Sequence, residues 1–168
     1  MLVLGIDPGI AITGYGLIRT DDRSNYNCID YGVIKTSADL PDAERLKILF
    51  EGLTQLIASH CPDSSAVEKL FFQKNVKTAI SVGQARGVAM LSLAQANLPV
   101  HEYTPNEVKQ TVCGYGSADK QQVQRMVQTL LNLEEFPKPD DAADALAVAI
   151  CHIHHQTFNN LIERAKER

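Results

Sequence analysis

Four acidic residues stand in apolar company. Asp7 closes the run Leu2-Val3-Leu4-Gly5-Ile6 and is followed by Pro8-Gly9. Glu68 sits in Ala66-Val67-Glu68-Lys69-Leu70-Phe71-Phe72, and Asp141 and Asp144 interrupt a stretch made mostly of Ala, Leu, Val and Ile. A carboxylate in such surroundings costs several kcal/mol unless it is paired or bound to a cation. No matching set of Lys or Arg accompanies these four, so a divalent cation is the natural partner. Residues three apart on a helix are neighbours on one face, so Asp141 and Asp144 can point at one site. Asp7 and Glu68 read as the ends of strands. If those strands are neighbours, four carboxylates converge. An all-oxygen set of this kind suits Mg²⁺ or Mn²⁺ rather than zinc. Two such ions clamp the attacking and leaving oxygens of a phosphoryl displacement. Asp140 complicates the assignment. It follows Pro139 at the start of a helical pattern, where an N-cap is expected. We read Asp140 as the cap and Asp141 as the ligand, with a swap left open.

The elements that must position these groups follow from periodicity and breakers. The sequence predicts strands at Leu2–Asp7, Thr13–Arg19 and Asn27–Thr36, joined by short turns into an antiparallel meander. Asp42–Ser59 has helical apolar spacing. Ser65–Leu70 and Pro99–Tyr103 read as further strands, separated by a helix over Val76–Asn97. A helix over Ala118–Leu131 follows the glycine-bearing loop 113–117, and Asp140–His152 is the last regular helix. The order βββαβαβαα predicts an α/β domain with a mixed sheet. We expect one domain over residues 1–158 and a poorly ordered tail over 159–168.

Composition sets the outer limits. The chain has 168 residues, 45% of them apolar and 21% charged, as in ordinary globular domains. No run is long and apolar enough for a membrane span, and the N-terminus reads as a strand rather than a signal peptide, so a cytoplasmic location is expected. The four cysteines are far apart in sequence and read as small hydrophobes. His152, His154 and His155 read as a solvated helix end rather than a metal site. The net charge is −4, yet residues 69–125 hold seven basic residues against three acidic ones. That local excess suggests a phosphate-facing surface formed by Lys74, Lys77, Arg86, Lys109 and Lys120. Phe71 or Phe72 would offer a face to an unstacked base; strand alternation allows at most one of them that role.

Taken together, these segments resemble the RuvC family of bacterial Holliday-junction resolvases over essentially the whole chain. The resemblance lies in Gly5-Ile6-Asp7-Pro8-Gly9 with Thr13-Gly14-Tyr15-Gly16, and in Glu68 with Phe71, Lys74 and Asn75. It continues through Ser81-Val82-Gly83-Gln84-Ala85-Arg86-Gly87, then Tyr103-Thr104-Pro105 with Val108-Lys109-Gln110, and Gly114-Tyr115-Gly116 with Ala118-Asp119-Lys120. It ends in Asp141-Ala142-Ala143-Asp144-Ala145-Leu146-Ala147. It implies a ribonuclease-H-like mixed five-stranded sheet flanked by helices. It also implies a homodimer that nicks two opposite strands of four-way junction DNA; the all-oxygen set and the phosphoryl chemistry above call for two Mg²⁺ ions per site, with Mn²⁺ able to substitute. Asp7, Glu68, Asp141 and Asp144 would be the metal-binding catalytic set. Phe71 would stack on junction bases, and Lys109 and Lys120 would touch DNA near the cut. The branch-migration proteins RuvA and RuvB would be partners in recombination and repair.

Ala79, Gly83 and Gly87 fall on one face of the central helix, where glycine costs up to about 1 kcal/mol relative to alanine. Another backbone passing close by would account for them, either that of a second subunit, as the resemblance implies, or that of the domain's own sheet. Two other readings compete. An actin-like ATP-binding domain also opens with Asp-x-Gly but needs a second domain. A non-catalytic four-way-junction-binding protein on the same fold would not need four carboxylates.

Overall fold

The computed structural model describes residues 1–21, 25–69 and 76–166, without the side chains of residues 76–78. Its elements run β1 (Leu2–Asp7), β2 (Ile12–Thr20), β3 (Tyr26–Lys35), α1 (Asp42–His60), β4 (Ser64–Glu68), α2 (Val76–Gln95), β5 (Val100–Tyr103), α3 (Pro105–Cys113), α4 (Lys120–Leu130) and α5 (Asp140–Lys166). They build one five-stranded sheet in the order β3-β2-β1-β4-β5. The first three strands pair antiparallel, and β4 and β5 are added parallel to β1. This is the mixed sheet predicted from the element order.

Strand alternation divides the molecule into two layers. Leu2, Leu4, Ile6, Leu17 and Val67 face a core closed by α1 and α2 through Leu49, Leu53, Ala85, Ala89 and Leu93. Val3, Ile18 and Ala66 face the other way, onto a core closed by α3, α4 and α5. Asp7 and Glu68 share the alternation of Val3 and Ala66. Both therefore point toward the α5 layer.

Helix α5 crosses the sheet where side chains have been removed. A Cβ at Gly5 would overlap the Ala145 carbonyl oxygen, one at Gly14 the Asp141 carbonyl oxygen, and one at Gly16 would fall 2.7 Å from Leu146 Cδ2. The contact face of α5 is itself small, with Ala142, Ala145 and Ala149 fully buried. Glycine on the strands and alanine on the helix let the two backbones approach, which holds the first turn of α5 over the end of β1.

Two expectations are corrected here. Residues 105–113, for which the sequence predicts no element, form α3. Thr104 accepts a hydrogen bond from the Glu107 N–H while Glu107 accepts from the Thr104 N–H, a reciprocal capping box, and Pro105 occupies the first turn. Helix α5 does not stop at His152 but runs on to Lys166, carrying exposed Phe158, Leu161 and Ile162. Among the cysteines, Cys151 is buried as expected, but Cys61 is exposed at the left-handed C-cap of α1.

Candidate active site

The turn after β1 sets the first carboxylate. Thr13, fully buried, donates from Oγ1 to the Gly9 carbonyl at 2.6 Å, and the Gly9 N–H donates back to the same oxygen at 3.2 Å. Thr36 Oγ1 and N–H donate to the Ile10 and Ala11 carbonyls, tying the turn to the end of β3. Sequence reasoning gave neither threonine this turn-fixing role; for Thr13, the hydroxyl four residues beyond a Pro-Gly turn was the available signal. Register then brings the second carboxylate alongside. Ile6 pairs with Val67 in the parallel β1–β4 ladder, so Asp7 and Glu68 leave adjacent strand ends side by side.

The third and fourth come from the first turns of α5. The Asp141 backbone lies against Gly14, which pairs directly with Asp7. Asp144 follows one turn on, and its Oδ2 lies 3.1 Å from Lys120 Nζ at the start of α4. The electrostatics follow from the convergence. The Asp7 carboxyl is pushed up to about 8, first by burial and then by the charges of Glu68, Asp144 and Asp141. Glu68 is pushed up to about 7 by burial and Asp144, with Lys109 and Lys120 opposing. Burial also raises Asp144, against the pull of Lys120. Crowded, half-buried carboxylates that resist ionising together are short of positive charge, and a cation would supply it.

The donor set fits a hard divalent ion, the kind of cofactor the family implies. Among the described residues no group of three His, Cys, Asp or Glu side chains is placed to hold a metal ion. Mg²⁺ does not need one, since one or two carboxylates with waters and substrate phosphates complete its shell.

Other expectations fared differently. Asp140 is no N-cap. It lies inside the first turn of α5, after Pro139, and its carboxylate accepts from Gln124 Nε2 at 2.7 Å and sits 3.5 Å from Lys120 Nζ. Arg86 pairs with Glu102 of β5, tying α2 to the sheet rather than standing free on the surface. Lys109 on α3 reaches the field of Glu68. Phe71, Phe72 and Lys74 lie outside the described residues, as does the Lys77 side chain. Of the predicted solvated helix end, His154 is exposed and His155 half-buried, but His152 is not solvated. His152 is 1% exposed, and its ring nitrogens meet Ser64 Oγ at 2.8 Å and Tyr103 Oη at 2.9 Å, with His101 stacked at 4.3 Å.

A mixed sheet in this order, with acidic residues from β1, β4 and the final helix meeting at one end, defines a ribonuclease-H-like nuclease. The solved yeast mitochondrial Holliday junction resolvase Ydc2 shares the fold, with a TM-score of 0.70 at 15% identity. Residues 3–152 match the family model described as crossover junction endodeoxyribonuclease RuvC. The chain belongs to that family, and it is a junction-resolving endonuclease. It is 59% identical over 159 residues to the crossover junction endodeoxyribonuclease RuvC of Halothermothrix orenii, covering 95% of this chain and 96% of the relative. The counterpart from Caldicellulosiruptor saccharolyticus is 57% identical, over 91% of this chain and 92% of its own. The structure of T. thermophilus RuvC in complex with a Holliday junction substrate has a TM-score of 0.89 and 34% identity, covering 95% of this chain and 96% of that one.

Proposed function

We propose that this chain acts as a homodimer that cuts two opposite strands of a four-way DNA junction, using Asp7, Glu68, Asp141 and Asp144 to hold two Mg²⁺ ions per site. The observation that carries the reading is the crowding of these carboxylates, with Asp7 pushed up to about 8 by burial and by its acidic neighbours. Divalent cations bound there would make water a better nucleophile and neutralise charge on the leaving oxygen. Lys120 and Lys109 offset the remaining negative charge and meet the phosphates flanking the cut. Phe71, Lys74 and Lys77 extend the DNA path by resemblance to the family. Arg86 is the weakest member of that set, because Glu102 already pairs with it.

The dimer reading rests on α2. A Cβ at Gly83 or Gly87 would meet nothing within 4 Å, and Ile80 and Leu91 are 60% and 51% exposed on the same helix. An open glycine face with exposed apolar neighbours suits a second copy, and two sites suit two cuts. RuvA and RuvB are the partners that the family implies. Residues 1–158 would form the nuclease domain, with the last turns of α5, to Lys166, extending beyond it. Among the described residues no helix is long and apolar enough to cross a membrane, which fits a cytoplasmic enzyme.

A labelled synthetic four-way junction tests the reading. Paired nicks with Mg²⁺ and binding without cutting in EDTA are expected. Cutting in EDTA would overturn the metal role.

A further inference from the structure

Lys120 is shared between two carboxylates of unequal setting. Its Nζ lies 3.1 Å from Asp144 Oδ2 and 3.5 Å from Asp140 Oδ2. Asp144 is half-buried among the site's other acids, whereas Asp140 is exposed at the rim. Asp140 is also held from behind, by Gln124 Nε2 donating to its other oxygen at 2.7 Å. Gln124 and Lys120 lie four residues apart on α4 and so share one face. Lys120 therefore faces a choice between an inner and an outer carboxylate, and the outer one is fixed in place by the same helix that carries the lysine.

That choice bears on the cation. An ammonium on Asp144 competes with a divalent ion for the same oxygens, and two cations on one carboxylate repel. If the lysine could leave only into water, each ion would have to displace it outright. We infer that Asp140 is a positioning residue, an outer perch that takes the Lys120 ammonium when Asp144 turns to a metal ion. The perch keeps the lysine beside the site, ready for a phosphate, instead of losing it to solvent. This inference rests on the metal reading above and adds a residue to it.

The test is Mn²⁺ binding to the DNA-free protein, followed by the fall in the free-ion EPR signal at 0.15 M salt, where exposed charges more than about 8 Å apart are largely screened. Asp140→Asn should weaken Mn²⁺ binding about fivefold, the scale of one partly exposed ion pair. Lys120→Ala should tighten it by removing the competitor. In the Lys120→Ala background, Asp140→Asn should then change binding less than about twofold, because a perch without its lysine has no task. Asp140→Glu should restore most of the loss, and Gln124→Ala should reproduce part of it. Equal weakening by Asp140→Asn with and without Lys120 would make Asp140 a direct ligand and overturn the perch. So would unchanged or tighter binding in the Asp140→Asn single variant. A wild-type protein that binds no Mn²⁺ would overturn the metal reading itself, a result distinguishable from failure of the perch alone.

Discussion

Asp7 carries the largest electrostatic burden of any single side chain in the site. In the metal-free protein its carboxyl is pushed up to about 8, so ionising it at neutral pH opposes folding. A folded-state value above the unfolded one means stability that is present at low pH and lost as pH rises, here between about 4 and 8. Asp7→Asn removes that charge at nearly constant shape. It should abolish junction cutting while leaving junction binding intact. In EDTA at pH 8 it should also raise the melting temperature by roughly 2–6 °C, the equivalent of about 1–2 kcal/mol. Cutting at the wild-type rate would show that Asp7 holds no ion. A lower melting temperature would show that its charge is already balanced without one.

At the scale of elements, the glycine-lined crossing of α5 over β1 and β2 is the joint on which the site depends. Gly5→Ala places a methyl where the Ala145 carbonyl already lies, so the helix must lift. A cost of at least about 1–3 kcal/mol is expected. Activity should fall further than stability does, because Asp141 and Asp144 ride on the displaced helix. Melting curves and cutting rates of the one variant measure both. The other joint is His152, which bonds Ser64 of β4 and Tyr103 of β5 from the middle of α5. Burial, with His101 and His155 nearby, lowers its pKa to about 4. The group is held neutral in the fold, so its contribution is full above the unfolded value of 6.5 and is lost as pH falls toward 4. Acidification relieves Asp7 and Glu68 over an overlapping range, so the His152 effect must be read as a difference. The stability gap between wild type and His152→Gln should narrow steadily from pH 7 to pH 4.5. A constant gap would mean the ring titrates normally.

These joints explain what was legible beforehand. An acid at the end of an apolar run, with a proline after it, marks both a strand end and a site, and Asp7 was readable for that reason. Asp141 and Asp144 were readable because a three-residue spacing survives any error in where the helix starts. Helix α3 was missed although Thr104, Pro105 and Glu107 spell a capping box, because only Val108 and Val112 of its nine residues are buried. The burial of His152 was not readable, since it depends on β4 and β5 arriving beside α5. Asp140 was misread for a related reason. Aspartate after proline suits a cap, but Gln124 and Lys120 of a different helix claim its carboxylate.

For the whole molecule, one open feature among the described residues is the Gly83 and Gly87 face of α2. If Gly83 and Gly87 admit a second copy, Gly87→Glu should place a charge in the contact without touching this chain's own core. The variant should sediment as a monomer, melt lower only by the stability the dimer contributes, and lose paired cutting before single nicking. A variant that stays dimeric would move the interface elsewhere. The path of the chain has a separate consequence. Asp7 and Asp144 stand far apart in sequence, and the closing of α5 over Gly5 and Gly14 brings them together. Contacts this distant in sequence are slow to form. A chain still emerging from the ribosome, or one whose last helix has opened, has its acidic groups scattered. If these carboxylates do the cutting, such a chain would leave DNA intact, and completing the fold would also be what arms the nuclease.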